Sequence, residues 1–299
     1  MSPIGLDAIS DKNGRLAVLA MDQRATLRRM LTAAGRPAQD TDLAAFKVDV
    51  IAALSPLSSG VLTDVEYGVG PVRQAGALAD GVGLLIAAEP AEKETFNGEY
   101  LTTADPLRDA AWVKANTGDA LKFLVYWNPD RPAVDGEPDL AQIALDVVGG
   151  IVTDCAAGAI PSIIEPLVSF GPDVKPSQAD KEAAVVRSAT RLATLDMDLL
   201  KLEWPGSAEA CAEVTKNLGS VPWALLSAGV AYDAFVERTT IALDNGACGF
   251  IAGRAIWGEA VGFEGDERRA WLADVAVPRL RGLVEVLARQ GRSWREVRS

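Results

Sequence analysis

Eight short apolar runs, each bounded by turn residues, constrain this 299-residue chain more than any other feature. They cover 15–22 (RLAVLAMD), 60–64 (GVLTD), 82–89 (VGLLIAAE), 120–127 (ALKFLVYW), 160–166 (IPSIIEP), 198–204 (DLLKLEW), 222–229 (PWALLSAG) and 248–254 (CGFIAGR). The runs are nearly continuous rather than cleanly alternating, as parallel strands buried on both faces require. Helical periodicity lies between most of them. It covers 24–35 and 42–55 after the first run, 140–158 after the fourth and 177–195 after the fifth, where Ser177 is placed to cap the helix. It returns at 207–219, 231–246 and 267–291 after the last three runs. Eight strands alternating with helices imply an α/β chain forming one (β/α)8 TIM barrel domain over residues 1–299. An open doubly wound sheet fits less well, because no GxGxxG follows the first strand. The polar stretch WNPDRPAVDGEPD (127–139) reads as a long loop at the strand C-terminal end, the end of a barrel where function concentrates.

Composition narrows the chemistry. The chain has no histidine, which excludes Ser-His-Asp and Cys-His catalysis and histidine-ligated zinc. Acid–base work then falls to Asp, Glu, Lys, Tyr or Cys. Cys155, Cys211 and Cys248 are scattered, with no zinc or redox spacing, so no metal or other cofactor is expected. The net charge of −12 argues against a nucleic-acid partner. The first fifteen residues carry no hydrophobic signal core, and no apolar run is read as long enough to span a bilayer. A cytoplasmic protein without a membrane partner is the expectation.

Polar residues interrupt or close most of the runs: Asp22, Asp64, Lys122, Glu165, Lys201, Glu203, Ser227 and Arg254. Lys201 and Glu203 are two apart and share a strand face, while Leu200, Leu202 and Trp204 point the other way. That turns Lys201 towards the barrel axis. Lys122 alternates with Leu121 and Phe123 in the same way. Buried ion pairs in barrels are often purely structural. Two lysines in separate apolar strands, with carboxylates at other strand ends, favour a functional site instead. A desolvated lysine beside a second cation holds its proton less tightly, and its neutral amine can attack a ketone. The resulting iminium accepts the electrons of an adjacent breaking C–C bond, while a carboxylate or tyrosine shuttles protons. The cluster suits an imine-forming lyase. Small residues in LLSAGV (225–230) and GFIAGRAIWG (249–258) follow the last two strands, where barrels commonly bind phosphate. Arg254 is placed to add a bidentate contact.

With these residues in place, the chain resembles the class I ketose-bisphosphate aldolase family, in particular its tagatose-1,6-bisphosphate and sulfofructosephosphate branches. The resemblance rests on MDQR (21–24), VLTDVEYG (61–68), LKFLVYW (121–127), IIEP (163–166), LLKLEWP (199–205), LSAGV (226–230) and AGRAIW (252–257). It implies a (β/α)8 barrel with Lys201 as the Schiff-base lysine. Lys122 is implied as the neighbouring cation that favours the neutral amine and contacts a substrate hydroxyl. Glu165 is implied as proton shuttle, and Asp22 as the group that orients the lysine or a hydroxyl. Ser227, Gly229, Gly253 and Arg254 match the group holding the phosphate at the ketone end. Gln23 and Arg24 are candidates, by position, for a second anionic group, and Asp64 for a further substrate contact. The implied partner is a sugar phosphate, the implied assembly a homo-oligomer. DVEYG leans towards the tagatose branch, whereas IIEP and the compact loop after it lean towards the sulfosugar branch, and the segment between Pro205 and Val221 is shorter than the tagatose branch implies. Other readings are a sugar-phosphate-binding regulatory barrel without turnover, an isomerase, and an imine-forming aldolase for a 2-keto acid.

Overall fold

The computed structural model describes residues 5–299. Each of the eight apolar runs forms one strand of a closed parallel barrel, the fifth strand running two residues past its run: β1 (Leu16–Met21), β2 (Gly60–Thr63), β3 (Gly83–Ala87), β6 (Ala120–Trp127), β7 (Ser162–Val168), β8 (Leu199–Leu202), β9 (Trp223–Leu226) and β10 (Gly249–Ala252). Round the barrel the order is β1-β10-β9-β8-β7-β6-β3-β2. Every strand therefore has two hydrogen-bonded neighbours and no edge is left open. The chain also forms a two-stranded hairpin, β4 (Glu94–Phe96) and β5 (Glu99–Leu101).

Alternation along the strands divides the apolar residues between two cores. Leu16, Val18, Ala20, Leu85, Ala87, Ile163 and Leu199 face inward and fill the barrel. Leu19, Ile86, Leu121, Phe123, Ile164, Leu200, Leu202 and Phe250 face outward, under the helices. Those helices are α1 (Ala25–Ala33), α2 (Asp40–Leu54), α3 (Gly70–Gln74), α4 (Ala110–Ala115), α5 (Leu140–Ala157), α6 (Gln178–Leu192), α7 (Ala208–Leu218), α8 (Tyr232–Asp244), α9 (Arg254–Trp257), α10 (Gly265–Trp271) and α11 (Val277–Gln290). A last helix, α12 (Trp294–Arg298), closes the N-terminal end of the barrel. Its Trp294 joins Leu6 and Ile9 in the inner core, donating from its backbone N–H to the carbonyl of Gly14 (2.9 Å) and from Nε1 to Ser10 (3.1 Å). With that end packed shut, polar inward-facing residues are left to the C-terminal end.

Four sequence expectations need correction. No element was expected between the third and fourth runs, yet β4, β5 and α4 lie there; elements of three to six residues are too short to show a period. The π-helical turn Val65–Val69 and α3 between β2 and β3 escaped notice for the same reason. The helix expected over 267–291 is broken by the π-helical turn Leu272–Ala276, just before Pro278, which has no N–H to continue an α-helical ladder. Finally, α5 is by length and composition apolar enough to cross a membrane, contrary to the expectation that no run is. In the fold it belongs to the helix layer. Leu140, Ala144, Val148 and Val152, spaced four apart, are buried, while Asp146 is exposed and Asp154 accepts a bond from the Ala110 N–H (2.8 Å).

Candidate active site

Inward positions within β6, β7 and β8, and just beyond the ends of β1 and β3, carry charge where the layers below carry aliphatic groups. They are Asp22, Glu89, Lys122, Glu165 and Lys201, all less than 10 % exposed. Each continues its strand's inward alternation: Val18–Ala20–Asp22, Leu85–Ala87–Glu89, Ala120–Lys122, Ile163–Glu165 and Leu199–Lys201. The Nζ of Lys122 lies 2.7 Å from Glu165 Oε2, 2.9 Å from Asp22 Oδ2 and 3.1 Å from Glu89 Oε1. Lys201 Nζ lies 2.9 Å from the same Glu165 oxygen. One carboxylate oxygen thus bridges two buried lysines.

Sequence reasoning brought Asp22, Lys122, Glu165 and Lys201 to this point. It missed Glu89, although Glu89 closes the third run and the same alternation turns it inward. Glu89 also accepts from the Leu124 N–H (3.2 Å) and lies 3.4 Å from Arg24, so it braces β6 and the first βα loop together. Glu203, in contrast, is one residue beyond the end of β8. It turns aside to accept from the Val168 N–H (2.8 Å) and does not share the axis with Lys201.

The electrostatics follow from the contacts. Burial by itself would push the Lys122 ammonium down, but Asp22, Glu165 and Glu89 outweigh it and hold Lys122 well above the usual lysine range. Burial would raise the Asp22 carboxyl, yet Lys122 and Lys201 hold it well below the usual carboxylate range. Glu165 is lowered against its burial by the same two lysines. Lys122 is therefore a fixed cation and Asp22 a fixed anion. Asp22 Oδ1 and Gln23 Oε1 are buried without a hydrogen-bond partner. Both residues line the cavity, where such acceptors suit ligand hydroxyl groups.

That cavity, of about 330 Å³, opens above the cluster. Asp22, Gln23, Arg24, Glu89, Lys122, Glu165, Lys201 and Arg254 line it, together with Arg29, Lys93, Leu124, Leu167 and the rings of Tyr100 and Tyr126. Arg24 reaches it already engaged by Glu66 (3.2 Å) and Glu89 (3.4 Å). Arg254 has no ion pair or side-chain hydrogen bond among the described residues and offers its whole guanidinium fork. Ser227, Gly229 and Gly253 are not part of the lining; Ser227 is buried just past the end of β9, and the two glycines lie against or next to Arg254. Gly229 (φ +80°) passes so close that a Cβ there would lie 3.2 Å from the Arg254 Cζ. A Cβ on Gly253 would lie 2.2 Å from the Ala20 carbonyl oxygen, which accepts from Trp257 Nε1 (3.0 Å).

Asp64 lies elsewhere. It is fully buried, pairs with Lys47 of α2 and caps the Val65–Val69 turn through the Tyr67 N–H (2.7 Å). The strand ends at Thr63, so Asp64 begins the next turn instead of projecting into the barrel mouth. Lys47 also donates to the Met21 carbonyl (2.6 Å), fixing the backbone next to Asp22. The 127–139 loop does not reach the cavity either. Its Arg131 binds Glu99 of the hairpin (2.9 Å) and Glu137 (2.8 Å), so the loop packs against β5.

Comparison with known proteins places the chain among the aldolases. Residues 16–259 match the model of the DeoC/LacD family aldolases. The chain is 30 % identical to the tagatose 1,6-diphosphate aldolase of Listeria monocytogenes, an alignment covering 97 % of this chain and 92 % of that one. It is equally similar to tagatose 1,6-diphosphate aldolase 2 of Streptococcus agalactiae, at 30 % identity over 97 % of this chain and 96 % of that one. Among solved structures, an archaeal fructose 1,6-bisphosphate aldolase shares the fold, with a TM-score of 0.66 at 17 % identity, covering 93 % of this chain and 95 % of that one. The closed barrel, the charged cluster at its C-terminal mouth and these matches lead to one conclusion: the chain belongs to the DeoC/LacD family of aldolases and is a carbon–carbon lyase.

Proposed function

We propose that this aldolase is of class I, with Lys201 as the Schiff-base nucleophile. Its substrate in this reading is a ketohexose 1-phosphate with a second anionic group at C6, cleaved to dihydroxyacetone phosphate and a three-carbon aldehyde. The observation that carries the reading is the contact of Lys201 Nζ with a carboxylate oxygen that also touches the fixed cation Lys122. Proton transfer from Lys201 to Glu165 frees the amine, and the amine adds to the C2 carbonyl. Glu165 returns that proton to the carbinolamine oxygen, water leaves, and the iminium forms with Glu165 again a carboxylate. Removal of the C4 hydroxyl proton by Glu165 then breaks the C3–C4 bond. The electron pair moves onto the iminium nitrogen, leaving the enamine, and the aldehyde departs. Protonation at C3 and hydrolysis release dihydroxyacetone phosphate and restore Lys201. Lys122 and Asp22 are positioned to hold substrate hydroxyls during these steps, with Gln23 adding an acceptor. Arg254, next to Gly229 and Gly253, is positioned for the C1 phosphate.

The names of the similar aldolases favour tagatose 1,6-bisphosphate as the sugar. The short segment between Pro205 and Val221, which holds α7, keeps 6-deoxy-6-sulfofructose 1-phosphate as a second reading. A homo-oligomer in the cytoplasm belongs to the same proposal. Borohydride reduction in the presence of dihydroxyacetone phosphate should leave a covalent adduct on Lys201, seen by intact mass and peptide mapping. Lys201→Met should gain no mass and lose roughly a thousandfold or more in kcat. An unmodified wild-type mass after that treatment would refute the mechanism. Parallel assays with tagatose and fructose 1,6-bisphosphates and with the 6-sulfo substrate identify the sugar.

A further inference from the structure

If the chain cleaves a doubly anionic ketose as proposed above, the group that reads the C6 anion must be a cation facing the cavity without a protein counter-ion. Arg24, placed there by its position in the sequence, does not qualify. Its guanidinium is shared between Glu66 and Glu89, and Glu66 is pulled further by Arg108 (2.6 Å). Lys122 is surrounded by three carboxylates. The cavity-lining cations without an ion pair among the described residues, apart from the nucleophile, are Arg29, Arg254 and Lys93.

These three fall on two sides of the mouth. Arg29 belongs to α1, and the neighbouring Met30 approaches Gly258, in the turn that follows Arg254. α1 follows β1, which pairs with β10, the strand that leads into Arg254, so Arg29 and Arg254 rise on the same side of the mouth. Lys93 comes from the connection after β3, three strands away from β10 in the barrel order. β8, which carries Lys201, stands two strands from β10 and three from β3. In a ketose 1-phosphate the carbonyl carbon adjoins the phosphate-bearing carbon, and C6 is at the opposite end of the chain. An imine at Lys201 with the C1 phosphate at Arg254 directs C6 across the mouth, towards Lys93.

The Lys93 side is built to present one charge. Lys93 immediately precedes β4, and its ammonium lies over the Tyr126 ring, 5.2 Å from the centroid. Tyr126 in turn stacks on Tyr100 of β5, with centroids 4.6 Å apart. The aromatic face steadies the ammonium without consuming its hydrogen-bond donors. We propose that Lys93, braced on Tyr126 and Tyr100, binds the anionic group at C6 and sets the preference for doubly anionic ketoses over simple ketose 1-phosphates. The β4–β5 hairpin is thereby a specificity element, although neither strand carries a residue of the charged cluster.

The test compares kcat/KM for a ketohexose 1,6-bisphosphate, for 6-deoxy-6-sulfofructose 1-phosphate and for the matching ketohexose 1-phosphate, in the wild type and in Lys93→Ala. Removing one partner of a desolvated charge pair should lower the ratio of the doubly anionic substrate to the 1-phosphate roughly tenfold or more. A fall with the phosphate or with the sulfonate supports the assignment and identifies the anion that Lys93 reads. A ratio within about twofold of the wild type for both would overturn the assignment, and using a ratio removes any general loss of fold or activity. The wild type is also trapped with dihydroxyacetone phosphate and borohydride, a ligand that has no C6 end. An adduct on Lys201 with an unchanged ratio overturns only the role of Lys93. No adduct overturns the aldolase mechanism, and this assignment with it.

Discussion

Lys122 touches three carboxylates and Lys201 touches one, so two lysines that look alike in their runs sit in unlike surroundings. Alternation by itself turned both inward; only the packing of five strand ends shows which of them is locked as a cation. Glu89 escaped because an acid closing a run looks like the first residue of a solvated loop. Arg24 lines the cavity as expected, but its sequence position does not reveal Glu66 and Glu89 around it. The depressed Asp22 carboxyl has a consequence for stability. Its pKa lies below its ordinary value of 3.8 in the folded chain, so its stabilising share is complete above that value and lost as pH falls towards the folded one. Lys122 behaves in the opposite sense. Its contribution is complete below the ordinary lysine value of 10.5 and lost only at still higher pH. Urea midpoints measured from pH 6 down to about pH 3 should therefore fall less steeply in Asp22→Asn than in the wild type. Equal slopes would show that Asp22 is not held ionised by the lysines.

At the level of single elements, strands were the most legible, because each is a compact apolar run between turn residues. Long helices with clear caps came next. Ser177 begins α6 as expected, accepting from the Asp180 N–H (3.1 Å) while Asp180 accepts back from the Ser177 N–H (3.2 Å). Replacing Ser177 with Ala should cost about 1 kcal/mol of unfolding free energy in urea titration, with kcat unchanged. A loss of activity without a loss of stability would contradict a purely local role for the cap. The short hairpin and the π-helical turns were not legible. Their existence depends on partners distant in sequence, such as Arg131 on Glu99 and Lys47 on Asp64.

Across the whole molecule, barrel closure makes one end a plug and the other a site. Trp294, far from the charged cluster, completes the inner core at the closed end. Trp294→Ala should destabilise the fold by about 3 kcal/mol, lowering Tm, while Lys201 still reacts with dihydroxyacetone phosphate in the folded fraction. Destabilisation below about 1 kcal/mol would mean that α12 does not seal the barrel. The sequence by itself determined the number and direction of the barrel strands, the inward turn of Lys122 and Lys201, and the absence of any histidine chemistry. Each of these follows from residue type and a period of two. The tertiary structure alone decided which charges are already spent. It gave Arg24 to Glu66 and Glu89, Asp64 to Lys47 and Glu203 to the Val168 N–H, and among the described residues it left Arg254 and Lys93 without an ion pair at the mouth. Charge pairing is set by distances between strands that meet only when the barrel closes, and no local pattern records them.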